Sequence, residues 1–205
     1  MENNTDFDYY MILPIIKENT PLLMNDFDYD EDGMDFLYSD EPAPAGYVAH
    51  LQFNESTSNA DFDVDYFYLD NVGVFSRRIK DVLEKIMPIK FFEFVPAIIK
   101  DDDGNEVEDF WIGNIYHEMY CFDENQSEYD GVTDTGRWEG IEKVVIDKAK
   151  LGKIPLDERL MFVARESSRF YLYHKSIIDI LQSVNPKGMR FINVNDWGDD
   201  IYFDI

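Results

Sequence analysis

The stretch VGVFSRRIKDVLEKIMP, residues 72–88, decides the fold. Its first four residues are a short apolar run that reads as a strand. Ser76 is a good N-cap, because its hydroxyl can accept a hydrogen bond from an amide of the first helical turn. Ile79, Val82, Leu83 and Ile86 then recur at helical spacing and give the helix one apolar stripe. Pro88 lacks an amide hydrogen and ends it. Residues 91–99, rich in phenylalanine, follow as an apolar strand. Residues 101–105 are an acidic turn, and residues 107–115 return as a second strand, so the two strands form a hairpin.

The pattern comes back a hundred residues later. FSRRIKDVL, residues 75–83, and YHKSIIDIL, residues 173–181, share their order of aromatic, polar and apolar positions. The second helix spans 174–184, with Ile177, Ile178, Ile180, Leu181 and Val184 apolar. Gly188 then precedes a strand over 190–194. A duplicated unit and the general likeness of strand–helix–strand segments both account for the match. On either account the fold class is α+β: a largely antiparallel sheet with a few short helices packed on it.

Working outward, residues 9–13 form an apolar first strand stopped by Pro14. Extended pieces are expected over 46–53 and 61–69, and strands over 144–146, 160–163 and 170–173. Residues 126–138 are polar and glycine-rich, hence loop. Residues 197–205 mix aromatics with acids and fit an edge strand or a docked tail. The domain reading is an acidic N-terminal segment, residues 1–70, with short strands and loops. It continues into an α+β domain, residues 71–205, in one globular unit.

With 205 residues, 45% of them hydrophobic and 16% aromatic, the chain can bury a sizeable core. No apolar run approaches the length that spans a bilayer, and the N-terminal residues carry acids rather than a basic leader. Cys121 is the only cysteine, which excludes an intramolecular disulfide and a cysteine zinc site and fits the cytoplasm. The net charge is -25, from 43 acids and 18 bases. Such a field argues against nucleic acid and anionic membranes as partners and favours a basic protein. Residues 1–70 hold 17 of the acids and a single base, Lys17, so the charge is concentrated in one third of the chain.

That third contains the densest candidate site. Asp28, Asp30 and Asp32, followed by Gly33, resemble the start of a calcium loop, but Ser39 stands where a bidentate Glu belongs and Asp35 where an apolar residue belongs. An acidic metal-binding or enzymatic domain built on residues 28–35 is therefore the alternative reading. The preferred one is a protein-binding patch of Asp26, Phe27, Asp28, Tyr29, Asp30, Asp32, Asp35 and Phe36, in which rings bury area and acids steer. The same rings could instead anchor the loop to the body. No nucleophile elbow, phosphate loop, dinucleotide fingerprint or two-histidine metal pair is present. Cys121, beside acids, reads as a buried small hydrophobe. No cofactor is expected and the chain is read as a non-enzyme. Trp111 is expected in the core by strand pattern.

Several short segments, in order, resemble the Imm11 immunity-protein family, also described as the DUF1629 domain. They are WIGNI at 111–115, CFD at 121–123, SEY at 127–129, KIP at 153–155, RFYLY at 169–173 and GMRF at 188–191. The resemblance covers about residues 65–194. It departs at Met119 and Tyr120, where the family has Val-Asp. It implies a protein encoded beside a polymorphic toxin, which binds the toxin domain in the cytoplasm of the producing cell and blocks its active site or substrate access. It brings no catalytic residues. Trp111, Asn114, Cys121, Asp123, Pro155 and Gly188 would serve the fold. An acidic inhibitor suits a toxin with a basic active-site cleft.

Overall fold

A computed structural model describes residues 5–15, 23–25, 34–53, 63–86, 88–101 and 103–198. Its strands are β1 (Tyr9–Pro14), β2 (Leu23–Asn25), β3 (Ala49–Phe53), β4 (Tyr66–Leu69), β5 (Val72–Ser76), β6 (Phe92–Lys100) and β7 (Glu106–Ile115). Then come β8 (Glu118–Met119), β9 (Gly131–Val132), β10 (Trp138–Glu139), β11 (Met161–Ala164), β12 (Tyr171–His174) and β13 (Met189–Asn193). The α-helices are α1 (Arg77–Leu83), α2 (Lys148–Leu151) and α3 (Lys175–Gln182). The fold is α+β, with most strand pairs antiparallel.

The strands form two main sheets rather than one. The first runs β13-β1-β12-β11-β8 and the second β2-β3-β6-β7-β5-β4. Among the described residues only β3 with β6 and β8 with β11 pair in parallel. The two strand–helix–strand units seen in the sequence share a split topology. In the second sheet β7 lies between β5 and β6 and is antiparallel to both, so α1 crosses over it. In the first sheet β1 lies between β12 and β13, again antiparallel to both, and α3 makes the crossing. The middle strand comes from different places in the chain: the hairpin partner in one unit, the N-terminal strand in the other.

The first helix starts as the sequence indicates, and the second starts one residue later than expected, with His174 as its cap. Ser76 Oγ accepts from the Ile79 amide, and His174 Nδ1 accepts from the Ser176 amide at 3.2 Å. Ile79 and Leu83 of α1 and Ile177, Ile178 and Leu181 of α3 enter the same core. Each such side chain contributes about 1.5–3 kcal/mol on full burial. The carboxylate of Asp65 locks this layer. It accepts from Ser76 Oγ at 2.8 Å, from the Lys187 amide at 2.7 Å and from the Arg78 guanidinium. Arg78 reaches on to the Val184 carbonyl at 3.0 Å, which ties the start of α1 to the chain leaving α3.

The first sheet is buried on both faces, which is why its strands read as unbroken apolar runs. Ile12, Met161, Val163, Tyr171 and Tyr173 join the core under the helices. Tyr9, Met11, Leu13, Phe162, Ala164 and Leu172 face a second core closed by the segment 119–151. That segment is mostly irregular. The strand expected at 144–146 is absent: Ile146 makes one isolated bridge with Phe122, and the Val145 amide donates to Ser127 Oγ at 3.0 Å. Val144 and Ile146 are instead buried plugs. Conversely, the expected loop 126–138 holds β9, which pairs with β10. Trp197 docks rather than forming a strand, with its ring edge-on to Phe170 and its Nε1 donating to the Ile141 carbonyl at 3.5 Å.

Candidate functional site

The acidic patch falls largely outside the described residues. Asp26, Phe27, Asp28, Tyr29, Asp30 and Asp32 all lie there, and with them most of the calcium-like stretch. Asp35 and Phe36 are placed, in a 3-10 turn over Asp35–Tyr38. Asp35 is exposed. Phe36 is half-buried and meets Tyr47 edge-on at 5.0 Å, so this ring anchors the turn to the body. Leu37 beside it is buried, and its carbonyl accepts from Tyr171 Oη at 3.4 Å. Among the described residues no three His, Cys, Asp or Glu side chains converge as a metal site.

The residues expected to serve the fold sit at distinct kinds of place. Trp111 is not in the core as expected: it is half-buried at the rim where α1 begins. The first turn of α1 covers only part of the ring, and the Arg77 guanidinium and Lys80 ammonium lie 5.0 and 5.1 Å from its centroid. Arg77 in turn pairs with Asp109. Asn114 is buried, and its amide donates to Glu93 Oε1 at 3.0 Å, the oxygen that also accepts from the Ala43 amide at 2.5 Å. Asp123 shapes a turn by accepting from the Asn125 amide at 2.9 Å and from the Gln126 side chain. The Gln126 bond holds its carboxyl below the usual range. Pro155 precedes the 3-10 turn Leu156–Glu158 and accepts from the Glu158 amide. Gly188 has φ +76°, where an L side chain would be strained, and an added Cβ would stand 3.3 Å from Val64 Cβ.

Cys121 is fully buried. Burial pushes its thiol well above the usual value, and the Glu166 carboxylate adds to this. Glu166 is itself 1% exposed, and one of its oxygens accepts from the Cys121 and Phe122 amides, both at 2.9 Å. Burial raises its carboxyl despite those bonds. This is a brace for the irregular segment: a side chain supplies the hydrogen bonds that strand pairing would otherwise give. A neutral thiol with no exposure is no nucleophile.

The brace carries an open groove of about 710 Å³ on its outer side. Tyr120, Tyr129, Val132, Trp138 and Ile154 supply its apolar lining. Tyr129 and Trp138 are stacked, 4.0 Å between centroids, and the Trp138 amide donates to the Glu166 carbonyl at 2.6 Å. Tyr120 is 50% exposed, with the Arg165 guanidinium 5.5 Å from its ring. Val132, on the β9–β10 ribbon, is 55% exposed. The polar lining is Glu124, Lys150 and Lys153. Lys150 is engaged: its ammonium donates to the Phe122 carbonyl at 3.0 Å and lies 3.6 Å from Asp147 and 3.9 Å from Glu124. Lys153 has no acidic partner among the described residues.

Sequence reasoning passed over this groove because residues 126–138 read as a polar loop. The available signal was a set of large apolar side chains, Tyr120, Tyr129 and Val132, in a segment whose local structure does not need them.

The groove offers a preformed apolar surface with fixed rings and one cation, Lys153, that has no acidic partner among the described residues. Such a surface suits a side chain or a short segment. No helix among the described residues is long and apolar enough to cross a membrane. An immunity protein family, Imm11, matches residues 29–157, which include every residue lining the groove. No curated protein matches the chain.

Proposed function

The chain belongs to the Imm11 immunity protein family, and on that premise we propose that it neutralises a cognate antibacterial toxin by stoichiometric occlusion. It acts in the cytoplasm of the producing cell, on a toxin encoded by a neighbouring gene of a polymorphic toxin system. The family match is the observation that carries this reading. A net charge of -25 supports a partner with a basic active-site cleft, because opposite fields speed encounter and a covered cleft excludes substrate. The same charge speaks against nucleic acid or an anionic membrane as the direct partner. The chain acts as an inhibitor by binding, without catalysis and without a cofactor.

The test is co-expression of the neighbouring gene's toxic C-terminal domain with this chain in a susceptible host. Restored growth together with a co-purifying complex of one copy of each supports the reading. Restored growth with no complex, or with degraded toxin at substoichiometric amounts of this chain, would replace occlusion by an enzymatic mode of protection.

A further inference from the structure

We propose that the groove between Tyr120, Val132 and Lys153 is the seat of one short toxin segment, which presents an apolar side chain next to a carboxylate. The proposal rests on the functional reading above and specifies the chemistry of its partner.

Three observations lead to it. The first is shape and preorganisation. The stacked pair Tyr129 and Trp138 forms a rigid apolar wall, and the main chain beneath it is held by Glu166 through the Cys121 and Phe122 amides. Rings already fixed before binding lose little conformational freedom on contact, so the buried area is expressed as affinity. The second is exposure. Tyr120 and Val132 present half or more of their surface to solvent, whereas the other large apolar residues among those described are mostly buried. A large aromatic and an aliphatic side chain beside a concave surface are what a central anchor packs against.

The third is charge, and it selects the occupant. The chain carries more than twice as many acids as bases, yet the groove lining holds one acid and two bases. Glu124 and Asp147 sit beside Lys150, whose ammonium also donates to the Phe122 carbonyl. Lys153 has no acidic partner among the described residues, so the charge the lip lacks is a carboxylate. A purely basic segment would meet Lys153 and Lys150 unfavourably, and a purely apolar one would leave Lys153 unpaired. The molecule's long-range field favours a basic domain, whereas the groove favours one mixed segment on that domain. Recognition is thereby divided between steering and seating.

The experiment is isothermal titration calorimetry of the neighbouring gene's toxic domain against wild type, Val132→Asp, Lys153→Glu and Lys148→Glu. All three positions are exposed, and melting temperatures confirm that each variant is folded. Val132→Asp and Lys153→Glu should each weaken binding by about tenfold or more, as loss of an anchor contact does. Lys148→Glu changes net charge as much as Lys153→Glu does, on α2 and outside the groove lining, and should weaken it by less than about threefold. Lys153→Arg should retain most of the affinity. A wild type that binds while both groove variants bind within about threefold of it overturns the groove assignment and leaves the immunity function standing. Loss on Val132→Asp alone overturns the carboxylate. A wild type that neither binds nor protects overturns the functional reading and the groove with it.

Discussion

The ring of Phe75 lies against Gly113 so closely that a Cβ added to the glycine would stand 2.5 Å from Phe75 Cε2. Phe75 is fully buried on β5, and Gly113 faces it from the adjacent β7. The glycine in the WIGNI stretch is thus a space reserved for a ring. Phe92, 3.2 Å from the same point, closes the other side. Gly113→Ala should destabilise the fold by about 1–3 kcal/mol, because neither ring can swing away. Phe75→Leu in the same chain should recover part of the loss. Denaturant titration of both single variants and the double variant measures this. An alanine variant as stable as wild type would show that the two strands separate freely.

Asp65 and Glu166 are both buried carboxylates, and they predict opposite pH dependences. For Asp65, burial works against ionisation, but Arg78, the Lys187 amide and Ser76 outweigh it and hold the carboxyl below its usual range. A lowered folded value means a contribution that is complete above the unfolded aspartate value, about 3.9. It is lost as pH falls through the lower folded value. Asp65→Ala should cost about 2–3 kcal/mol at neutral pH, the order of lost hydrogen bonds to a charged group. The difference from wild type should shrink as pH falls below about 4. Urea titrations at several pH values check it, and a difference that stays constant would show that ionised Asp65 contributes nothing.

For Glu166 the sign is reversed. Burial raises its carboxyl, so stability declines as pH rises from the unfolded glutamate value, about 4.3, towards the higher folded value. Glu166→Gln keeps an oxygen for the Cys121 and Phe122 amides, and should match or exceed wild type at neutral pH. Glu166→Ala leaves both amides unpaired and should cost about 2 kcal/mol. Equal loss in Gln and Ala would mean that the charge, and not the acceptor, is what the site needs.

Cys121 gives a chemical readout of the same brace. Its thiol is buried and its ionisation suppressed, so an aromatic disulfide reagent should modify it only as fast as the segment opens. Glu166→Ala should raise that rate before it changes the global melting point. Rapid labelling of folded wild type would contradict the burial.

The acidic segment predicts salt-dependent capture. Asp26, Asp28, Asp30, Asp32 and Asp35 are proposed to steer the toxin rather than anchor it. Changing all five to Asn should slow association by about tenfold or more at low salt and alter dissociation much less. The gap should narrow as salt is raised, because the screening length falls from about 10 Å at 0.1 M to about 3 Å at 1 M. Surface plasmon resonance at two salt concentrations measures both rates. Identical association in both salts would leave the segment as an aid to solubility.

Local patterns in the sequence carried much of this architecture. The helices α1 and α3, the cap at Ser76 and the β6–β7 hairpin follow from periodicity, capping chemistry and a turn within a few residues of each other, whereas His174, read as the first helical residue, is the cap of α3. The division into two sheets was not legible. Placing β1 between β12 and β13 pairs Tyr10 with Tyr173 on one side and with Asn193 on the other, and such distant pairing leaves no local trace. Trp111 misled for a related reason: alternation along β7 turns it towards α1, but it cannot reveal that the helix stops short of covering it. The run at 144–146 has the composition of a strand, yet its amide is taken by Ser127 and its side chains plug a core. The groove stayed hidden because its residues converge from Tyr120 to Ile154 through irregular chain. The Imm11 resemblance rested on short motifs, and the match over residues 29–157 shows that family.

The account stands or falls on whether this chain forms a tight, stoichiometric complex with its toxin. Multi-angle light scattering of the purified toxic domain, from the neighbouring gene, mixed with this chain tests that directly when the same mixtures are assayed for toxic activity. The account predicts a single species containing one copy of each protein, with activity falling linearly to zero at equal amounts. Two separate species with undiminished activity, or full inhibition at far less than one copy per toxin, would contradict it.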